Sequence, residues 1–139
     1  MTARVDAGRR VLAEAMLERT LQRDIVELCG PLRWLAQHSR AAAVTGRDGQ
    51  VRHRTPLGGD VGFPDLFLVH LDVPVAVAAE LKQQKAYPTA PQRLWGAALA
   101  PVPGVLYVVW RPLQLVTGEI ADLLQDPHRV ASLAAGRAA

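Results

Sequence analysis

From about Arg9 to Cys29, Leu17, Leu21, Ile25 and Leu28 share one face of a helical wheel, and this spacing predicts a single helix that Gly30-Pro31 ends. Glu18 lies within about 20° of Ile25 on that wheel and Glu14 falls inside the apolar arc, so one or both acids approach the core. Glu14 is expected to pair with Arg10 one turn earlier. Pro31 to Val44 suits either a helix or an irregular edge strand, and the preferred reading is a strand from Arg33 to Ser39.

Residues 40–61 read as a polar connection, with a turn at Gly46-Arg47-Asp48-Gly49 and a short arm through Val51 to Arg54. A connection of that length in a small domain tends to be functional or mobile, and its arginines suggest a substrate-contacting loop. Asp65 to Leu71 and Val75 to Leu81 are short apolar runs rich in β-formers, and Asp72-Val73-Pro74 between them reads as a tight reversal, which predicts an antiparallel pair.

Thr89-Ala90-Pro91-Gln92 has the spacing of a capping box and opens a helix whose buried face would be Leu94, Trp95, Ala98 and Leu99. Val105 to Trp110 is a nearly continuous apolar run suited to a buried central strand. A last helix from Thr117 or Gly118 to Gln125 would bury Ile120, Leu123 and Leu124. The Ala-rich tail of residues 127–139 reads as fraying helix or disorder. The element order predicts one α/β domain over residues 1–139, with a small mixed β-sheet flanked by helices.

Composition narrows the function. Half of the 139 residues are apolar but only 5% are aromatic, so the core must be built from Ala, Val and Leu. The net charge of +3 is unevenly spread: Arg33, Arg40, Arg47, Arg52 and Arg54 are opposed only by Asp48 over residues 33–54. Such a stretch fits either a nucleic-acid contact that neutralises phosphates or a solvated loop. The single cysteine, Cys29, excludes an internal disulfide and a cysteine metal cluster. Neither a signal peptide nor an apolar run able to span a bilayer is evident, so the expected setting is cytoplasmic and without a membrane partner.

The chemistry gathers at two strand ends. Asp65 heads one predicted strand and Glu80 closes the next, fifteen residues later. In an antiparallel pair the start of the first lies beside the end of the second. Lys82 shares a face with Glu80, two residues along and roughly 6–7 Å away. Two carboxylates in apolar surroundings are costly unless a hard cation such as Mg²⁺ accompanies them. Such a site could polarise a phosphodiester and lower the pKa of a bound water, with Lys82 offsetting negative charge or taking a proton. No histidine has ligand-like spacing to another histidine or to the cysteine. His70 reads as a strand-end residue, and His38 and His53 as candidate phosphate contacts.

In this order the chain resembles the PD-(D/E)xK nuclease superfamily, and within it the VRR-nuclease group of virus-type replication and repair nucleases. The resemblance is carried by Glu18 with Leu21, Gln22 and Ile25, by Gly62-x-Pro64-Asp65-Leu66, by Glu80-Leu81-Lys82, by Thr89 with Gln92, and by Trp110-Arg111-Pro112. Two positions depart from the family pattern: Ala86 stands where a Gly is frequent and Pro91 where an acid is common. The resemblance implies a restriction-endonuclease-like αβββαβ core and a catalytic set of Asp65, Glu80, Lys82, Glu18 and Gln92. Asp65, Glu80 and Glu18 would hold Mg²⁺, with Mn²⁺ as a substitute, and a helix-capping role accounts equally well for Gln92. Arg40, Arg47, Arg52, Arg54 and Lys85 would contact DNA. The implied activity is hydrolysis of branched or structured DNA, of Holliday-junction or flap type, in phage or prophage replication, recombination or repair. A homodimer would supply two sites for two strands. The alternative is a non-catalytic DNA-binding or assembly module on the same fold.

Overall fold

A computed structural model describes residues 7–38, 42–45, 47–54 and 59–136. The chain opens with helix α1 (Ala7–Ala15) and helix α2 (Glu18–Cys29), followed by strand β1 (Trp34–His38). A hairpin of β2 (Ala42–Thr45) and β3 (Val51–Arg54) precedes β4 (Leu66–His70) and β5 (Ala76–Leu81). Helix α3 (Ala90–Leu99), strand β6 (Val105–Trp110) and helices α4 (Pro112–Val116), α5 (Glu119–Leu124) and α6 (Pro127–Gly136) complete it.

The main sheet has the order β1-β4-β5-β6, with β1/β4 and β4/β5 antiparallel and β5/β6 parallel. It is a four-stranded mixed sheet flanked by helices, as the α/β pattern predicts. The expected reversal between β4 and β5 is present. His70 stabilises it: its Nδ1 accepts from the backbone N–H groups of Asp72 and Val73, which leaves the proton on Nε2, 3.2 Å from the Leu32 carbonyl oxygen. At the same end of the sheet Arg33, in a left-handed conformation with φ 66°, makes a bidentate contact with Asp72. Arg33 is thus engaged at the end of the sheet opposite Asp65.

The single helix expected over Arg9 to Cys29 is two. Met16 and Leu17 interrupt it, and Leu17 is extended at φ −81° and ψ 154°. No Gly or Pro marks the break. Its cause is tertiary: α1 packs against α4 with Ala13 fully buried, whereas α2 lays Leu21, Ile25 and Cys29 on the sheet. One straight rod could not do both. The break makes Glu18 the first residue of α2, where an acid is favoured by the helix dipole.

Strand β6 is an edge strand, not the central one expected. Its unbroken apolar run arises because helices cover both of its faces, with α3 on one side and α6 on the other. The tail forms a packed helix as far as Gly136, with Val130 and Ala134 fully buried in the core. Indole Nε1–H of Trp34 donates to the Leu124 carbonyl oxygen at 2.8 Å and ties α5 to β1. Ile120 and Leu124 are buried as expected, and Leu123 packs at the margin.

Helix α3 docks on a different face from the one its apolar residues suggest. Leu94 is 72% exposed, Ala98 is exposed, and Trp95 and Leu99 are half-buried; only Gly96 is buried. The helix rests on the Tyr107 ring through Gly96, where a Cβ would come within 2.6 Å of Cε1 and Cζ. Among the described residues no helix is long and apolar enough to cross a membrane.

Candidate active site

The β4/β5 register sets Leu66 opposite Ala79, so the next pair outward is Asp65 and Glu80. Asp65 carries the ladder one step further with its side chain: Oδ2 accepts from the Leu81 backbone N–H at 2.8 Å. Lys82 follows as its N–H donates to the Trp110 carbonyl oxygen at 3.1 Å, extending the parallel β5/β6 pairing. Alternation then turns Ala78, Glu80 and Lys82 to the face beneath α3, and Val77, Ala79 and Leu81 to the α2 side, where those three join the core cluster.

Two tight contacts hold the Asp65 loop against the start of α3. Gly62 has φ 94°, and a Cβ there would lie 2.6 Å from the Pro91 carbonyl carbon and 2.8 Å from the Gln92 nitrogen. Only glycine meets both constraints. Trp95 Nε1–H donates to the Val61 carbonyl oxygen at 3.1 Å, and Phe63 meets the Trp95 ring edge to face at 5.1 Å. Pro64 is buried.

Glu80 is the electrostatic centre. It is 1% exposed, and its Oε1 has no hydrogen-bond partner. Lys82, 9% exposed, brings Nζ to 3.8 Å from that oxygen, an ion-pair distance too long for a hydrogen bond. Burial, then the hydrogen bond and charge of Asp65, push the Glu80 carboxyl up to about 9; Lys82 opposes the shift and Glu18 adds to it. At neutral pH without a counter-cation Glu80 therefore holds a proton.

Asp65, Glu80 and Lys82 are thus brought together as expected. Glu18 stands near enough for its charge to reach Glu80. It does not complete a third ligand, since among the described residues no three His, Cys, Asp or Glu side chains gather closely enough to hold one ion. Gln92 is occupied as a cap: its Oε1 accepts from the Thr89 N–H at 2.8 Å, and Thr89 Oγ1 accepts from the Gln92 N–H at 3.4 Å. Of the expected DNA contacts, Arg47 is exposed at the tip of the β2–β3 hairpin, whereas Arg40 and the side chains of Arg52, His53 and Arg54 lie outside the described residues. Lys85 reaches Glu14 at 3.8 Å, so the partner of Glu14 is Lys85 and not Arg10. A depression of about 420 Å³ lined by Glu14, Gln83, Gln84, Lys85 and Ala86 opens there. His38 pairs with Leu66 at the site end of β1, its Nδ1 3.1 Å from Gln22 Nε2.

Tyr107 was not foreseen. Burial raises its phenol pKa, and the charges of Glu80 and Asp65 raise it further, which brings the ring into the electrostatic field of the pair. Its parity with Glu80 follows from Ala78 lying opposite Tyr107 in the parallel register. Nothing in an unaligned apolar run reveals that register.

The donor set suits a hard divalent cation. Two carboxylates converge, and one buried oxygen lacks a partner that a cation would supply. No family model matches the chain, and neither does any curated protein or solved structure.

Proposed function

We propose that this chain is a Mg²⁺-dependent DNA nuclease of the PD-(D/E)xK type, similar to the VRR-nuclease group. The observation that carries the reading is Glu80, buried to 1% exposure with an unpartnered oxygen, next to Asp65 and 3.8 Å from the Lys82 ammonium. A carboxyl so placed is costly for folding alone. The order α2, β1, β4, β5, α3, β6 supports the restriction-endonuclease-like αβββαβ reading.

Asp65 and Glu80 would hold the metal, and Glu18 would add negative potential from the helix start. A bound Mg²⁺ would supply the charge that polarises a phosphodiester and lowers the pKa of an attacking water. Asp65 is held in orientation by the Leu81 N–H. To hold a cation Glu80 would have to be deprotonated. Lys82, nearly enclosed, offsets charge growing on the phosphodiester oxygens or takes a proton from the water. Gln92 acts by fixing the start of α3 against Gly62, which keeps the Asp65 loop in place.

The substrate is DNA, with the β2–β3 hairpin and its arginines as the basic arm, and a homodimer would provide one site per strand. The test is incubation with four-way junction, flap, duplex and single-stranded DNA in Mg²⁺, Mn²⁺ or EDTA. We expect metal-dependent cutting that Asp65→Asn and Lys82→Ala abolish. Cutting that survives in both variants would overturn the assignment, and metal-insensitive binding without cutting would establish the DNA-binding module instead.

A further inference from the structure

The chain has only seven aromatic residues besides its histidines. The most exposed of them stands on the segment that leaves the cluster: Tyr87, at 82%, five residues after Lys82. Five residues span at most about 17 Å, and a turn in which the Ala86 N–H donates to the Gln83 carbonyl oxygen shortens the path.

The segment is held at several points, so the exposure of Tyr87 belongs to a defined structure. Gln84 Oε1 accepts from the Leu113 N–H at 3.0 Å, and Arg111 Nη2 donates to the Ala86 carbonyl oxygen at 3.0 Å. On the far side Arg93 Nη1 donates to the Pro88 carbonyl oxygen at 2.6 Å. The Arg111 guanidinium carbon lies 5.8 Å from the Tyr87 ring centroid, within cation–π range. One ring face is therefore backed by a cation and the other is open. Arg111 alone is seen against the ring, whereas Phe63, the other exposed aromatic by the cluster, is packed against Trp95 and Phe67.

An open aromatic face backed by a cation, on the segment that follows Lys82, matches the chemistry of an unpaired nucleotide: the base stacks and the cation meets its phosphate. A base inside a duplex has no free face to offer. We propose that Tyr87, backed by Arg111, is a stacking platform for an unpaired nucleobase, so that the DNA led to Asp65, Glu80 and Lys82 is single-stranded or frayed there. The proposal rests on the nuclease reading for the identity of the ligand as DNA, and it names the substrate class of that site.

Binding of the full chain to labelled oligo-dT, to the same strand made abasic, and to a fully paired duplex is measured by fluorescence anisotropy in EDTA. The wild type is expected to favour oligo-dT over the abasic strand. Tyr87→Ala should lose roughly 5- to 150-fold on oligo-dT, the range that base–aromatic stacking accounts for, with the abasic strand and the duplex unchanged. Tyr87→Trp should retain the affinity, and thermal melting of each variant verifies folding. No binding of oligo-dT by the wild type, unchanged affinity in Tyr87→Ala, or an equal loss on all three ligands would each overturn the platform. Cleavage in Mg²⁺ is read separately. Cutting by the wild type but not by Asp65→Asn keeps the nuclease reading whatever Tyr87 does, and a base-dependent Tyr87 effect without cutting removes that reading alone.

Discussion

The sharpest consequence of the buried Glu80 is a stability that falls as pH rises. Its carboxyl goes from an ordinary 4.5 to about 9 on folding, so between those limits the folded chain binds one more proton than the unfolded chain. The slope of unfolding free energy with pH is then negative, at most about 1.4 kcal/mol per unit for one proton. The stabilising effect is complete below about pH 4.5 and is lost progressively as pH rises towards 9. From about pH 4.5 to 7.5 the cost reaches about 4 kcal/mol if the carboxyl keeps its full burial, and less wherever the site relaxes or admits water. Glu80→Gln has nearly the same shape, cannot ionise, and offers Asp65 an N–H donor where the protonated acid offers O–H. Urea denaturation of both proteins in EDTA, from mildly acidic to mildly basic pH, isolates the contribution, because the other titrating groups are common to both. The stability of Glu80→Gln relative to wild type should rise with pH, and Mg²⁺ should narrow the gap by stabilising the wild type alone. Parallel curves for the two proteins, or a gap that shrinks with pH in EDTA, would refute the protonated, buried Glu80.

Three further outcomes test the surroundings of the site. Gln92→Glu preserves the capping box and should keep stability and activity, whereas Gln92→Ala should lose about 1 kcal/mol in denaturant titration; a Glu variant that folds normally but has no activity would give Gln92 a chemical role. Gly96→Ala drives a methyl to 2.6 Å from the Tyr107 ring and should cost about 1–3 kcal/mol by overpacking, which a thermal melt would register. Cys29 is 1% exposed, its thiol is pushed up to about 11 by burial and its Sγ is 3.3 Å from the Ile25 carbonyl oxygen; it should resist aromatic disulfide reagents until denaturant is added.

The elements that local pattern determines were legible in the sequence, and those set by packing partners were not. Thr89-x-x-Gln92 is a reciprocal hydrogen-bond motif complete within four residues, and it appears as read. Short apolar runs rich in β-formers and a Pro-containing reversal were enough for β4 and β5, and Gly30-Pro31 for the end of α2. The break at Met16-Leu17 has no breaker residue, because it reconciles α1 packing on α4 with α2 packing on the sheet. The position of β6 was misread for a related reason: an apolar run reports covered faces, and both a central strand and a helix-covered edge strand have them. The buried face of α3 was misread because Gly96, which carries no hydrophobic signal, is its contact residue.

The site divides along the same line. Asp65 and Glu80 could be brought together on paper because strand parity and an antiparallel turn fix which end meets which, and the Asp65–Leu81 hydrogen bond follows from that register. Tyr107 needs the β5/β6 register, which arises from a crossover through α3 and has no local signature. Glu18 is an intermediate case. Its place on the helical wheel correctly turned it towards the core, but the distance it keeps from the two carboxylates is set by where α2 begins, and α2 begins at a break the sequence does not announce. A third carboxylate in direct contact would raise the cost of ionising Glu80 without a cation still further, whereas one acting through its field alone adds to the attraction for a divalent ion at a smaller penalty to the folded chain.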